Sequence, residues 1–386
     1  MKVLEVVGVC GGGLSRHLRS LCQGLIAQDH QVTVAYSPHT LDQSFQRFLV
    51  ERREEIHSIP LGVGMEISPR SDLRAVLQLM RLIRERGPFD VVHGHSAKGG
   101  TLARIAGRRF SMPTVYTPHG LITSSPETPR LKAAVYTSIE YVLGHWATSR
   151  MIAVSEGERK FIRKLRLISA DRIVVVENGL DDEDIPPFSG DGGCEDLSHR
   201  PLTFGSTMRF DAAKGPGYLV EAFTRLSDSL PQLPMRLMIA GDGELFAEIK
   251  RKVERSRFDD KIVLLGWRPD IMQVLHDFDV FVVSSLREGG SYGTIEAMAA
   301  GLPVVSTDVF GTDETIGRVS GNIIVPVGDP DALAEGMKQL AILNEPGSLR
   351  RELRRIGQSN RDYVRNHLKR SYSIRRTLEI YQALCQ

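Results

Sequence analysis

The sequence is poor in cysteine. Cys10, Cys22, Cys194 and Cys385 form no C-x-x-C pair and no zinc-ligand spacing. That argues against a disulfide-stapled scaffold and a cysteine-built metal site, and the expectation is a reduced, cytoplasmic chain. Long apolar runs are also missing. No stretch approaches the ~20 uninterrupted apolar residues of a membrane-spanning helix. The opening MKVLEVVGVC carries one lysine and a short apolar run that meets a glycine cluster, so it reads as a first buried strand and not as a signal peptide. No G-x-x-x-x-G-K-[ST] occurs, which disfavours a P-loop kinase or ATPase. The first glycine loop has Arg16 where a dinucleotide fingerprint wants glycine, and GDGELF at 241–246 has Phe246 in that place. The basic residues lack interleaved aromatics, so no nucleic-acid partner is expected.

What is present is the composition of a soluble globular protein, 41% hydrophobic and 25% charged. At 386 residues the chain is long enough for two domains. The net charge of +2 hides an asymmetry: residues 1–180 carry +8, and residues 181–200 carry −6. The basic excess fits solvated helix faces, or a surface that meets an anionic acceptor or membrane.

Short apolar runs rich in β-branched residues alternate with helical periodicity. Strands are predicted at 2–9, 31–36, 89–93, 113–117, 151–155 and 173–177. Helical patterns lie between them, including Leu14, Leu18, Leu21, Cys22 and Leu25. Ser155 and Glu158 form a capping box. The segment 181–200 is acidic, contains Pro and Gly, lacks apolar period, and reads as a linker. The alternation then restarts, with strands at 202–207, 235–241, 261–266, 280–285 and 303–307. Continuous apolar strands separated by helices predict parallel sheets covered on both faces. The fold expected is α/β: two Rossmann-like, doubly wound parallel-sheet domains facing across a cleft, 1–180 and 201–365. Residues 361–384 read as one helical pattern, and the terminal helix 366–386 is a candidate to dock on the first domain.

The most informative run is Glu288-Gly-Gly-Ser-Tyr-Gly-Thr-Ile-Glu296, after a strand and before AMAAGLPVVST. A small-residue loop that opens a helix is an anion site, and the backbone N–H groups of Ser291, Tyr292 and Gly293 suit a diphosphate. Glu296, in the first turns of that helix, can take two ribose hydroxyls. Glu288, before the turn, can accept sugar hydroxyls. Two glutamates at this spacing are by themselves equally compatible with solvated helix-start charges.

This E-x7-E run followed by EAMAAGLPVV resembles the donor site of glycosyltransferase family 4, whose fold is GT-B. MRFDAAKG (208–215) is similar to the family's G-R-L-x-x-x-K-G element. VVHGHSAKGG (91–100), VYTPHG (115–120), VSEGERK (154–160) and VVVENGLD (174–181) follow in family order. The resemblance implies a retaining hexosyl- or N-acetylhexosaminyl-transferase that uses a nucleotide diphosphate sugar. A UDP-sugar is favoured because it is common among relatives. In that reading Arg209 and Lys214 neutralise the diphosphate. His119 reaches the donor sugar. Gly12 and Gly13 let backbone approach a ligand. Trp267-Arg268 touches the base, Arg268 through its backbone. His93-x-His95 alone is weak evidence for a metal, and His95 and Lys98 are candidate acceptor-side groups, with a packed turn as the plain alternative. Asp277-Phe278-Asp279 mimics a metal-binding D-x-D, but the fold generally needs no catalytic metal, so no metal and no cofactor are expected. The sequence departs from the family at Thr207-Met208, where a glycine is usual, and at Phe310.

The resemblance extends to enzymes that build bacterial polysaccharide on a lipid diphosphate carrier. Expected partners are therefore a nucleotide-sugar donor, a glycan or lipid-linked acceptor, and the inner face of the cytoplasmic membrane. The helix at 71–86 sets Arg74, Arg81, Arg84 and Arg86 beside Leu73, Leu77, Met80 and Ile83, a pattern that suits packing on its own sheet or skimming an anionic surface. A nucleotide-sugar epimerase and a non-catalytic nucleotide-sugar-binding protein share the architecture and stand as alternatives.

Overall fold

The computed structural model describes residues 1–8, 10–64, 68–185, 200–343 and 349–386. Most of the acidic stretch read as a linker, residues 186–199, lies outside the described residues, as does Cys194. The chain divides into two compact units, Met1–Asn178 with Arg370–Gln386, and Gly179–Lys369.

The first unit is a seven-stranded sheet. Its strands are β1 (Lys2–Val7), β2 (Gln31–Tyr36), β3 (Ile56–Pro60), β4 (Val91–His95), β5 (Thr114–Thr117), β6 (Arg150–Ala153) and β7 (Ile173–Val175). All pairs are parallel, in the order β3-β2-β1-β4-β5-β6-β7. Helices α1 (Gly13–Ile26), α2 (Gln43–Glu51), α3 (Pro69–Arg86), α4 (Ser96–Arg109), α5 (Arg130–Ala147) and α6 (Glu156–Lys164) make the connections. The two-residue period of a strand divides the core. Val3, Val7, Val91 and Val115 join the cluster with Leu18, Leu21 and Tyr381. Leu4, Val6 and Val92 join the opposite cluster with Leu79, Leu102 and Ala103. Helix α4 starts at Ser96, directly after β4, and lies tight on the sheet. A Cβ on Gly99 would stand 2.5 Å from the Val6 carbonyl oxygen, and one on Gly100 2.2 Å from the Tyr116 ring.

The second unit repeats the plan with six parallel strands: β8 (Leu202–Thr207), β9 (Met235–Ala240), β10 (Ile262–Gly266), β11 (Val280–Val283), β12 (Val304–Thr307) and β13 (Ile323–Val325). Their order is β10-β9-β8-β11-β12-β13. Connecting helices include α7 (Pro216–Ser229), α8 (Phe246–Glu254), α9 (Ile271–His276), α10 (Tyr292–Ala299), α11 (Thr312–Thr315), α12 (Pro330–Ala341) and α13 (Leu349–His367). Proline opens α7 and α12, where its missing N–H costs nothing. Phe204 and Phe223 are fully buried and packed edge to face. Each such ring contributes about 2–3 kcal/mol of burial.

The terminal pattern predicted as one helix is two, α13 and α14 (Arg370–Cys385). Between them the Leu368 carbonyl accepts from the Leu180 amide at 2.9 Å, and Lys369 bridges Leu180. No Gly or Pro marks the break, because it is made by a partner 189 residues earlier. Helix α14 returns to the first unit and packs on α1.

Candidate functional site

In an open parallel sheet, ligands bind beyond the carboxyl ends of the strands where the strand order reverses. In the second unit that point lies between β8 and β11. The turn after β8 and the loop after β11 are stitched together there. The Leu286 amide donates to the Ala213 carbonyl at 2.8 Å, and Ser284 Oγ donates to the Lys214 carbonyl at 3.0 Å. Asp211 Oδ1 accepts from the Lys214 amide. The result brings Lys214 Nζ to 2.5 Å from Glu288 Oε1, which also accepts from Ser285 Oγ at 2.8 Å. Arg209 is half exposed on the same turn and pairs with Asp211.

Helix α10 opens just beyond Glu288. Ser291 caps it, its Oγ accepting from the Thr294 amide at 3.3 Å. Tyr292 is buried, and Gly293 lies against Thr207, where a Cβ would meet Oγ1 at 3.2 Å. Glu296 sits partly exposed, one turn along. After β10, Trp267 is half exposed and Arg268 makes a two-bond pair with Asp270, at 2.9 and 2.7 Å. Those bonds hold the Asp270 carboxyl below its ordinary range. Asp279 of the D-x-D look-alike accepts from the Thr203 amide and pairs with Arg200, so it ties strand ends.

In the first unit the reversal lies between β1 and β4, where Glu5 is in register with His93 and Val7 with His95. Glu5, His93, His95 and Thr117 share the strand parity of Val3, Val91 and Val115, so all four face α1 and α14. His95 Nε2 lies 2.7 Å from Glu5 Oε2, and its Nδ1 lies 3.1 Å from His119 Nε2. Tyr381 donates to Glu5 Oε1 at 3.0 Å, and its hydroxyl is 2.5 Å from His93 Nδ1. His93 Nε2 meets Thr117 Oγ1 at 2.8 Å. His17 of α1 completes the group, its ring edge-on to His119 at 4.7 Å between centroids. Burial drives the His17 pKa down to about 3, helped by His95 and opposed by a hydrogen bond to Asn178. Burial first, and neighbouring imidazoles second, also push His93 and His119 well down. Two sets, His17/His95/His119 and Glu5/His93/His95, have ligand atoms within 4.8 Å of one another, as a metal site would. In both, however, His95 is joined to a neighbour at hydrogen-bond distance.

His119 occupies the left-handed region, φ 56°, which a non-glycine residue adopts only under constraint. Buried Glu158 supplies part of that constraint by accepting from the Gly120 amide at 2.7 Å and the Val154 amide at 2.9 Å. Gly12 is exposed with φ 59°, and its amide donates to Asp42. Gly13 is exposed at the start of α1. Lys98 falls inside α4 and reaches both oxygens of Asp72 at 2.8 Å. Sequence reasoning missed Glu5, His17, Asp42 and Tyr381. A glutamate inside an otherwise apolar first strand was the available signal for Glu5.

Two family models match the chain. "Glycosyltransferase Family 4" matches residues 11–184, and "Glycosyl transferases group 1" matches residues 201–342. The chain is 28% identical over 277 residues to the UDP-Gal:alpha-D-GlcNAc-diphosphoundecaprenol alpha-1,3-galactosyltransferase of Escherichia coli, covering 70% of this chain and 71% of that one. It is 27% identical over 328 residues to the capsular polysaccharide biosynthesis glycosyltransferase CapM of Staphylococcus aureus, covering 81% of each chain. The fold matches that of HepE from Anabaena, solved in complex with UDP-glucose, with a TM-score of 0.79 at 18% identity, over 99% of this chain and 100% of that one. Two parallel-sheet units of the GT-B kind, matched in turn by both family models, establish that the chain belongs to the family 4, group 1 glycosyltransferases.

Proposed function

We propose that the protein transfers a sugar from a UDP-sugar, with retention of anomeric configuration, to a lipid-linked or growing polysaccharide acceptor. The observation that carries this reading is the Lys214–Glu288 pair at the strand reversal of the second sheet, beside the capped start of α10. Arg209 and Lys214 would neutralise the donor diphosphate, with the Ser291, Tyr292 and Gly293 amides beneath it. Fixed cations there stabilise the charge that grows on the leaving diphosphate. Glu296 would hold the ribose, and Glu288 hydroxyls of the sugar. Arg268 has its side chain engaged by Asp270, which suits contact with the base through its backbone. His119 would meet the donor sugar, with Gly12 and Gly13 lining the approach and His95 and Lys98 on the acceptor side.

UDP as the carrier is supported by the Escherichia coli relative, whose donor is UDP-Gal and whose acceptor is a diphosphoundecaprenol-linked sugar. Peripheral contact with an anionic membrane is part of the proposal. Exposed Leu73 and Leu77 stand among arginines on α3, and exposed Leu131, Val135, Val142 and Trp146 line α5. Arg108 stacks on Trp146 at the end of that stripe. Among the described residues no helix is long and apolar enough to cross a membrane.

Calorimetric titration with UDP, GDP and ADP, with and without magnesium, tests the donor reading. Selective, metal-independent binding of UDP is expected, followed by UDP release when the matching UDP-sugar is supplied. Binding of none of the three would overturn the donor site as described.

A further inference from the structure

The hydrogen bonds around Glu5 can be followed atom by atom. Tyr381 has one hydroxyl proton and gives it to Glu5 Oε1, so the contact with His93 Nδ1 must use the proton of that nitrogen. His93 Nε2 is then an acceptor, satisfied by the Thr117 hydroxyl. An ionised Glu5 can only accept at Oε2, so His95 donates through Nε2, and a neutral His95 then keeps a lone pair on Nδ1. That lone pair faces His119 Nε2 at 3.1 Å, and the contact is a bond only if His119 carries its proton there. With an ionised carboxylate and neutral imidazoles, one assignment satisfies every contact.

We propose that Glu5, His95 and Tyr381 form a positioning relay that fixes His119 as the Nε2–H tautomer and so leaves its Nδ1 as a hydrogen-bond acceptor for a donor-sugar hydroxyl. The proposal rests on the reading of His119 given above; the relay itself does not. Its anchor is the terminal helix: Tyr381 is fully buried and lies 376 residues from Glu5 in sequence. The relay gives α14 a part in the site beyond packing. A carboxylate that orients one imidazole, which in turn orients another, uses the same logic by which buried carboxylates fix histidine tautomers in other enzymes. Burial makes the arrangement strict, since a misplaced proton would leave a buried polar atom without a partner.

The test is 15N NMR of histidine-labelled full-length protein without ligand. His119 is expected to be protonated at Nε2 and bare at Nδ1. In Glu5→Gln the amide can donate to His95, which moves the His95 proton to Nδ1 and drives His119 toward the Nδ1–H tautomer. UDP-sugar hydrolysis without acceptor should fall about three- to tenfold in kcat/KM, the worth of one neutral hydrogen bond. Tyr381→Phe, which keeps the Glu5–His95 bond, should change both readouts less. A wild-type His119 protonated at Nδ1 would overturn the relay. If Glu5→Gln does not fold, the wild-type and Tyr381→Phe spectra still decide. A tautomer that shifts as stated, in a protein whose His119→Ala variant hydrolyses donor normally, supports the relay and sinks the separate reading of His119.

Discussion

Lys214 Nζ lies 2.5 Å from Glu288 Oε1, although 74 residues separate them in the chain. The contact spans the two loops that flank the strand reversal of the second sheet, and both partners are mostly shielded from solvent. A cation held in place before the donor arrives needs little reorganisation when charge develops on a leaving diphosphate. Lys214→Ala is therefore expected to lower kcat by about 10²–10³-fold, the usual scale for one preorganised charge-stabilising donor. UDP affinity should fall much less. Steady-state donor turnover alongside calorimetry separates the two, and equal losses in both would mean that the cation binds ground and transition states alike.

Glu296 sits one turn into α10, beyond the capped amides. If its carboxylate takes two ribose hydroxyls, Glu296→Ala removes charge-assisted hydrogen bonds, and UDP should bind about 10- to 100-fold more weakly. Uracil-free ribose 5-phosphate should lose affinity by a similar factor. An unchanged UDP dissociation constant would remove the ribose role.

The second-unit constellation was legible because it is local. Glu288, Ser291, Tyr292, Gly293 and Glu296 lie on one loop and one helix start, and Arg209 and Lys214 on one turn. The parallel α/β plan followed from continuous apolar runs broken by helical periods. The first-unit network was not legible in the same way. Glu5, His93, His95, Thr117 and Tyr381 come from three strands and the last helix, and only the register of the sheet brings them to one face. Lys98-Gly99-Gly100 fits an anion loop by type, yet α4 already includes it, and its glycines are explained by the approach of Val6 and Tyr116. The break at Leu368 could not be read either, because its cause is a bond to Leu180.

Gly215 closes the turn that carries Lys214, with φ 61°, and a Cβ there would stand 2.4 Å from the Ser284 carbonyl oxygen. Backbone cannot yield as a flexible side chain does. Gly215→Ala should cost the second unit about 2–4 kcal/mol, combining left-handed strain with the clash. Gly12→Ala meets nothing within 4 Å, so only the backbone strain of its φ 59°, ψ −125° conformation, about 1–3 kcal/mol, is expected in the first unit. Urea unfolding of both variants checks this. A loss at Gly215 of no more than about 1 kcal/mol, the left-handed strain alone, would show that the contact with Ser284 contributes nothing.

The buried histidines set an acid limit on the first unit. His17 has its pKa lowered to about 3, and His93 and His119 are also well below the ordinary value. In the unfolded chain each titrates near about 6.5. As pH falls below that value the unfolded state takes up protons that the folded state refuses, so stability is fully present above about pH 6.5 and drains away beneath it. For His17 the loss stops only near pH 3, where the folded protein accepts the proton too. Each histidine adds a limiting slope of about 1.4 kcal/mol per pH unit. Urea midpoints measured between about pH 7.5 and 5.5 isolate this effect, because carboxylates titrate lower. His17→Gln should flatten the slope by close to one proton. A slope that stays the same in that variant would mean that His17 takes up its proton as readily in the folded protein as in the unfolded chain, and that the imidazole cluster is wetter than its packing implies.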